Sequence, residues 1–158
     1  MDTVLIPPAA QRAYNQGISS FESGNLDAAK NQFESALKTE PRFLKARFNY
    51  ANVLLAQNDA VQASAEFNRV LREDWKGQID RVGLYNGLAR SYFDQNYLDS
   101  AMNYFEDAQE MDPNQVTPSY YLGLIYFLTE HYDSSISLLT RAIDMEPEDF
   151  RYYGDRAA

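Results

Sequence analysis

Few residues in this sequence are of a type and spacing that could make or break bonds. Cysteine is absent, so thiol nucleophiles, thiolate metal sites and disulfides are excluded. His131 is the only histidine and falls in a turn segment, which leaves no His-based triad and no His-pair zinc site within one chain. Carboxylates cluster at Glu106, Asp107, Glu110 and Asp112, and again at Asp144, Glu146, Glu148 and Asp149. Neither cluster has the Asp-x-Asp-x-Asp-Gly loop that calcium needs, so both read as solvated acidic faces. No phosphate-cradling glycine loop occurs either. The expectation is a protein that is not an enzyme and takes no cofactor and no metal. What remains is the chemistry of recognition: aromatic residues make up 14% of the chain, more than a core of this size needs.

Charge narrows the class of partner. The formal net charge is -9, so repulsion works against nucleic acid and against anionic lipid. Residues 1–81 hold ten Lys/Arg and ten Asp/Glu, whereas residues 82–158 hold four and thirteen. The excess acidity therefore lies in the second half, where a neutral or basic partner is favoured. No transmembrane run is present, so direct membrane insertion is not expected. The opening Met1-Asp2-Thr3-Val4-Leu5-Ile6-Pro7-Pro8 carries an acid where an export signal needs bases, and its apolar run is short. The chain as written is expected in the cytoplasm, or in the periplasm if a leader has been removed.

The elements that would position the rings announce themselves as a repeat. Small residues recur at Ala29, Ala63, Ala101 and Ser135, with spacings of 34, 38 and 34. Phe33, Phe67, Phe105 and Leu139 keep the same phase, as do Ala36, Val70, Ala108 and Ala142. Upstream, Gly17, Ala51, Ala89 and Gly123 form another column, and Pro41, Trp75, Pro113 and Pro147 close each copy. Copies run over residues 10–43, 44–77, 82–115 and 116–149, with an insertion at 78–81. Each divides into two segments of helical period around turn residues such as Ser23-Gly24-Asn25 and Gln57-Asn58-Asp59. Asn25 and Asp59 are placed to cap the second helices. Stacked hairpins would bury the apolar faces that one hairpin leaves open, with small residues letting helix backbones approach.

The third copy, with Tyr85, Leu88, Ala89, Tyr92, Ala101, Phe105 and Pro113, most closely resembles the tetratricopeptide repeat. The fourth copy departs at Ser119 and Ser135, and the second places Trp75 where the closing proline belongs. The resemblance implies an all-α fold: an α-solenoid of four helix-turn-helix repeats in a right-handed superhelix, forming a single domain. Residues 150–158 would begin a short C-terminal capping helix or a fifth repeat.

The same resemblance implies a concave groove lined by the first helix of each copy. Its residues would be Tyr14, Ile18 and Phe21; Phe48, Asn49, Asn52 and Leu55; Asn86, Arg90 and Phe93; and Tyr120, Leu124 and Phe127. The expected function is that of an adaptor holding a peptide or helix of a partner protein. Two alternatives are a self-associating scaffold, joined as a homo-oligomer through its C-terminal end, and an assembly factor for a pilus, secretion or outer-membrane complex. The family's clamp for chaperone C-termini is not expected. Tyr14 and Ile18 stand where it needs Lys and Asn, and Gly87 stands where it needs a base.

Overall fold

The computed structural model describes residues 4–148, and these form eight helices with no strand among them. They are α1 (Pro8–Glu22), α2 (Leu26–Thr39), α3 (Leu44–Ala56), α4 (Ala60–Glu73), α5 (Arg81–Asp94), α6 (Leu98–Met111), α7 (Val116–Leu128) and α8 (Tyr132–Met145). Consecutive helices pair as antiparallel hairpins, α1 with α2 through to α7 with α8. The chain separates into two compact units, Met1–Asp80 and Arg81–Ala158. Within the first, α2 also packs on α3; within the second, α6 packs on α7. This is the all-α helical-repeat solenoid architecture that the sequence period implies.

The sequence columns are the core. Ala29, Phe33 and Ala36, with their counterparts Ala63, Phe67 and Val70, Ala101, Phe105 and Ala108, and Ser135, Leu139 and Ala142, are all buried. Each lies on a second helix, at spacings of four and three residues that keep them on one face. The opposing small column explains how they fit. A Cβ built on Gly17 would stand 2.7 Å from the Phe33 ring, and one on Gly123 would stand 2.8 Å from Leu139. Ring and backbone are therefore in direct contact, and a side chain at either glycine overpacks the hairpin. The fourth copy's departures are also interior: Ser119 is buried, and Gln109 Nε2 donates to its hydroxyl at 2.9 Å. The polar group is satisfied, so its burial is tolerated.

One backbone device closes all four hairpins. Gly24, Asn58, Asn96 and Glu130 occupy the same place in their copies and all have positive φ, between 62° and 78°. The amide of the next residue reaches back to a carbonyl in the last turn of the first helix, as in Asn25 N to Ser20 O at 2.9 Å and His131 N to Tyr126 O at 2.8 Å. This is the Schellman arrangement, which satisfies carbonyls that a helix end leaves open. The chain then enters the second helix, where Asn25 accepts from Ala28 N and Asp59 from Gln62 N. Tyr97 and His131 hold the same positions without a side-chain cap. His131 is thus a turn residue, its Nδ1 3.1 Å from Thr129 Oγ1.

Of the residues expected as an insertion, 78–80 lie in the connection after α4 and Arg81 opens α5. Asp74 is 1% exposed, and its carboxylate accepts from the amides of Gln78 at 2.7 Å and Ile79 at 2.9 Å. Gly77, at φ 67°, makes the reversal that brings those amides round. Trp75 is left outside, 77% exposed. The expected capping segment, 150–158, lies outside the described residues.

Two stability measurements test this account by urea denaturation. Gly17→Val should lower stability by about 1–3 kcal/mol, because Phe33 has no room to withdraw. Glu130→Gly should raise it by about 0.5–1 kcal/mol by relieving a left-handed residue that has a Cβ.

Candidate functional site

The packing that buries one side of each first helix decides which of its residues remain outside. Each unit presents its own pair of first helices in contact, α1 with α3 and α5 with α7. The thirteen residues expected to line a groove divide among three environments.

Some complete the core. Leu55 is only 4% exposed, which corrects its assignment to an open wall: it sits in the last turn of α3 with Val53 and Leu54, both also buried. Tyr14 lies with its ring centroid 5.0 Å from Phe43 and 5.9 Å from Phe33, so its ring closes the first hairpin. Phe48 meets Phe67 edge-on at 5.8 Å. Ile18 packs on the cluster of Ala29, Phe33 and Val53. Tyr120 packs beside Ala142 and Ile143.

The amides are largely engaged within their own unit. Asn49 Nδ2 donates to Lys45 O at 2.9 Å and to the Tyr14 hydroxyl at 3.3 Å, tying α3 to α1. Asn52 Nδ2 donates to Phe48 O within α3. These bonds engage the side-chain nitrogens. Asn86 differs from both, because its Oδ1 is buried without a hydrogen-bond partner. That oxygen is closed off, although the sequence placed Asn86 among the groove residues. Burial raises the Tyr14 hydroxyl above its ordinary pKa, and the bond from Asn49 partly offsets this.

The third group is available. Phe21 is 38% exposed in the last turn of α1, and Arg90 is exposed on α5. The Arg90 guanidinium lies over the Tyr121 ring, 5.8 Å from its centroid, and forms no ion pair among the described residues. Phe93 meets the same ring edge-on at 5.2 Å, and Phe105 stacks beneath it at 5.0 Å and 7°. Tyr121 therefore joins α5 to α7, the part that the Asn49–Tyr14 bond plays between α1 and α3. Burial pushes the Asp94 carboxyl above its usual range, and Arg90 one turn away partly restores it. Phe127 and Leu124 are half-buried on α7, and Phe127 meets Tyr132 at 5.9 Å.

Tyr121 was not among the expected groove residues, although a signal for it existed. It occupies the sixth place of its copy, as Asn49 does, and Asn49 was counted. No group of three or more His, Asp or Glu among the described residues is arranged to hold a metal. No helix there is long and apolar enough to cross a membrane.

The environments predict different costs of truncation, measurable by thermal or urea unfolding. Tyr14→Ala should cost about 2 kcal/mol or more, since two core rings lose a partner. Phe21→Ala should cost no more than about 1 kcal/mol.

Models of the tetratricopeptide repeat match residues 20–78, and residues 82–115 and 119–149. Of the residues between these matches, 79 and 80 fall in the connection organised by Asp74 and Arg81 opens α5. No curated protein matches the sequence. Among solved structures, the chain is similar to MamA from Desulfovibrio magneticus RS-1, with 17% identity over 96% of this chain and 84% of that one and a TM-score of 0.79. It is similar to TTC0263, a thermophilic repeat protein of Thermus thermophilus, with 23% identity over 94% and 80% and a TM-score of 0.74. It is also similar to YrrB, described as having an unusual peptide-binding site, with 16% identity over 93% and 74% and a TM-score of 0.72. At these identities the likeness is one of fold.

Proposed function

Because the chain belongs to the tetratricopeptide repeat family, a scaffold for protein–protein interaction, we propose that it is an adaptor that holds a segment of a partner protein against its first helices. The observation that carries this reading is the cluster around Tyr121. There a ring fixed on three sides supports an exposed guanidinium that forms no ion pair among the described residues.

Rings held by their neighbours lose little entropy when a partner covers them, and Trp, Tyr and Arg dominate the energetics of such contacts. Arg90 has five donors in a planar fork, suited to a carbonyl or carboxylate on the partner. Phe21 on α1 and Phe127 on α7 supply apolar anchors in their own units. The side-chain oxygens of Asn49 and Asn52 add acceptors for backbone N–H groups. In each unit such groups suit an apolar segment with a polar backbone exposed, held as a peptide or a helix. The peptide site named for YrrB supports such a use of this fold without specifying the residues.

A photo-crosslinking residue placed at Phe21, Arg90 or Phe127 should capture a partner protein from cell extract. The same residue at Val61 or Met111, both well exposed on second helices, should not. Equal capture from all five positions would remove the case for the first helices. Arg90→Glu should weaken binding of the captured partner about tenfold or more, with unchanged helicity by circular dichroism.

A further inference from the structure

A cavity of about 800 Å³ opens at one end of the first unit, and none of the groove candidates lines it. The start of α3, the last turn of α4 and the Trp75 connection form its walls, and Ile6 closes it from the approach to α1. Its chemistry is unlike the rest of the protein. Arg42, Lys45, Arg69 and Lys76 surround it, and Glu73 is the only carboxylate on its wall among the described residues.

Two of these cations are already engaged: Arg69 Nε pairs with Glu73 Oε1 at 2.7 Å, and Arg42 Nε with Glu40 at 3.4 Å. Lys45 and Lys76 have no carboxylate partner among the described residues. Lys76 Nζ stands 5.0 Å from the centre of the Trp75 ring, near enough for a cation–π attraction. The result is a local surplus of positive charge in a chain whose net charge is -9. Beside it lies an apolar wall of Phe43, Leu44 and Ile6, and a tryptophan left 77% exposed. An exposed ring of that size beside apolar side chains is a place where a partner gains by covering it.

We infer that this cavity binds an acidic peptide segment carrying an aromatic or aliphatic anchor, with carboxylates at Lys45 and Lys76 and the anchor against Trp75 and Phe43. Charge complementarity selects this occupant. A nucleic acid or an anionic membrane would bring its full field against the net negative charge of the chain. A short peptide places two or three carboxylates only where the cations are. The buried Asp74 makes the site possible, since its bonds to the amides of Gln78 and Ile79 fold the connection that holds Trp75 outward.

Trp75 is the only tryptophan, so its fluorescence reports on this cavity alone. The full chain is titrated with the peptide acetyl-Glu-Glu-Leu-Phe-Glu-Glu-amide and with its counterpart in which every Glu is Gln. The acidic peptide should give a saturable change in emission that weakens with added salt, and the Gln peptide should bind at least tenfold more weakly. Lys45→Glu with Lys76→Glu, both on the surface, should abolish the response to the acidic peptide with helicity unchanged. Equal binding of the two peptides, or an undiminished response in the double variant, overturns the inference. So does an equal response to tripolyphosphate, which would show a general anion patch. A change in Trp75 emission with protein concentration alone, and none with peptide, would overturn it in favour of a second copy of the chain.

Discussion

The contact between the backbone of each first helix and the large side chain opposite it is the constraint on which the rest of this structure depends. At Gly17 the Phe33 ring, and at Gly123 the Leu139 side chain, occupy the space a Cβ would take. Ala51 and Ala89 hold the same column in the other hairpins and are fully buried. This close approach fixes the rotation of the first helix about its axis. Once that rotation is set, the outward face follows, and with it the residues open to a partner. The surface proposed for recognition is thus a consequence of core packing.

The turns show how far backbone geometry and side-chain chemistry can separate. Four hairpins close with a left-handed residue and the same backward hydrogen bond, yet that residue is Gly, Asn, Asn and Glu in turn. The carbonyls at a helix end require the geometry, whereas the side chain only alters its cost. The caps vary more widely: Asn25 and Asp59 accept from backbone amides, while Tyr97 and His131 provide no side-chain cap. The one histidine of the chain is accounted for by this turn, and its ring lies against Tyr126.

Where the period breaks, the chemistry changes too. A buried Asp74 organises the connection, and two backbone amides offset the cost of its burial. Cations gather at the same end of the first unit, including Arg47, which is buried and bonded to Glu66 and to Pro41 O. The second half of the chain carries the acidity. The two proposed surfaces would suit different partners, apolar and hydrogen-bonding on the first helices, anionic at the Trp75 connection.

The sequence by itself determined the helical hairpins, their phase, the turn positions and the caps at Asn25 and Asp59. These follow from small and large residues at fixed spacing and from local hydrogen bonding, which any copy displays without reference to another. The site was only partly legible. Phe21, Arg90 and Phe127 were placed on the correct helices, but a ring at helical spacing looks the same whether it faces solvent or a neighbour. Only tertiary structure decided that Tyr14 and Phe48 lean on core rings, that Leu55 and the Asn86 oxygen are buried, and that Tyr121 joins α5 to α7. The cavity beside Trp75 was hidden for the same reason. Its walls come from residues more than sixty positions apart, and their proximity is a property of packing that no local pattern carries.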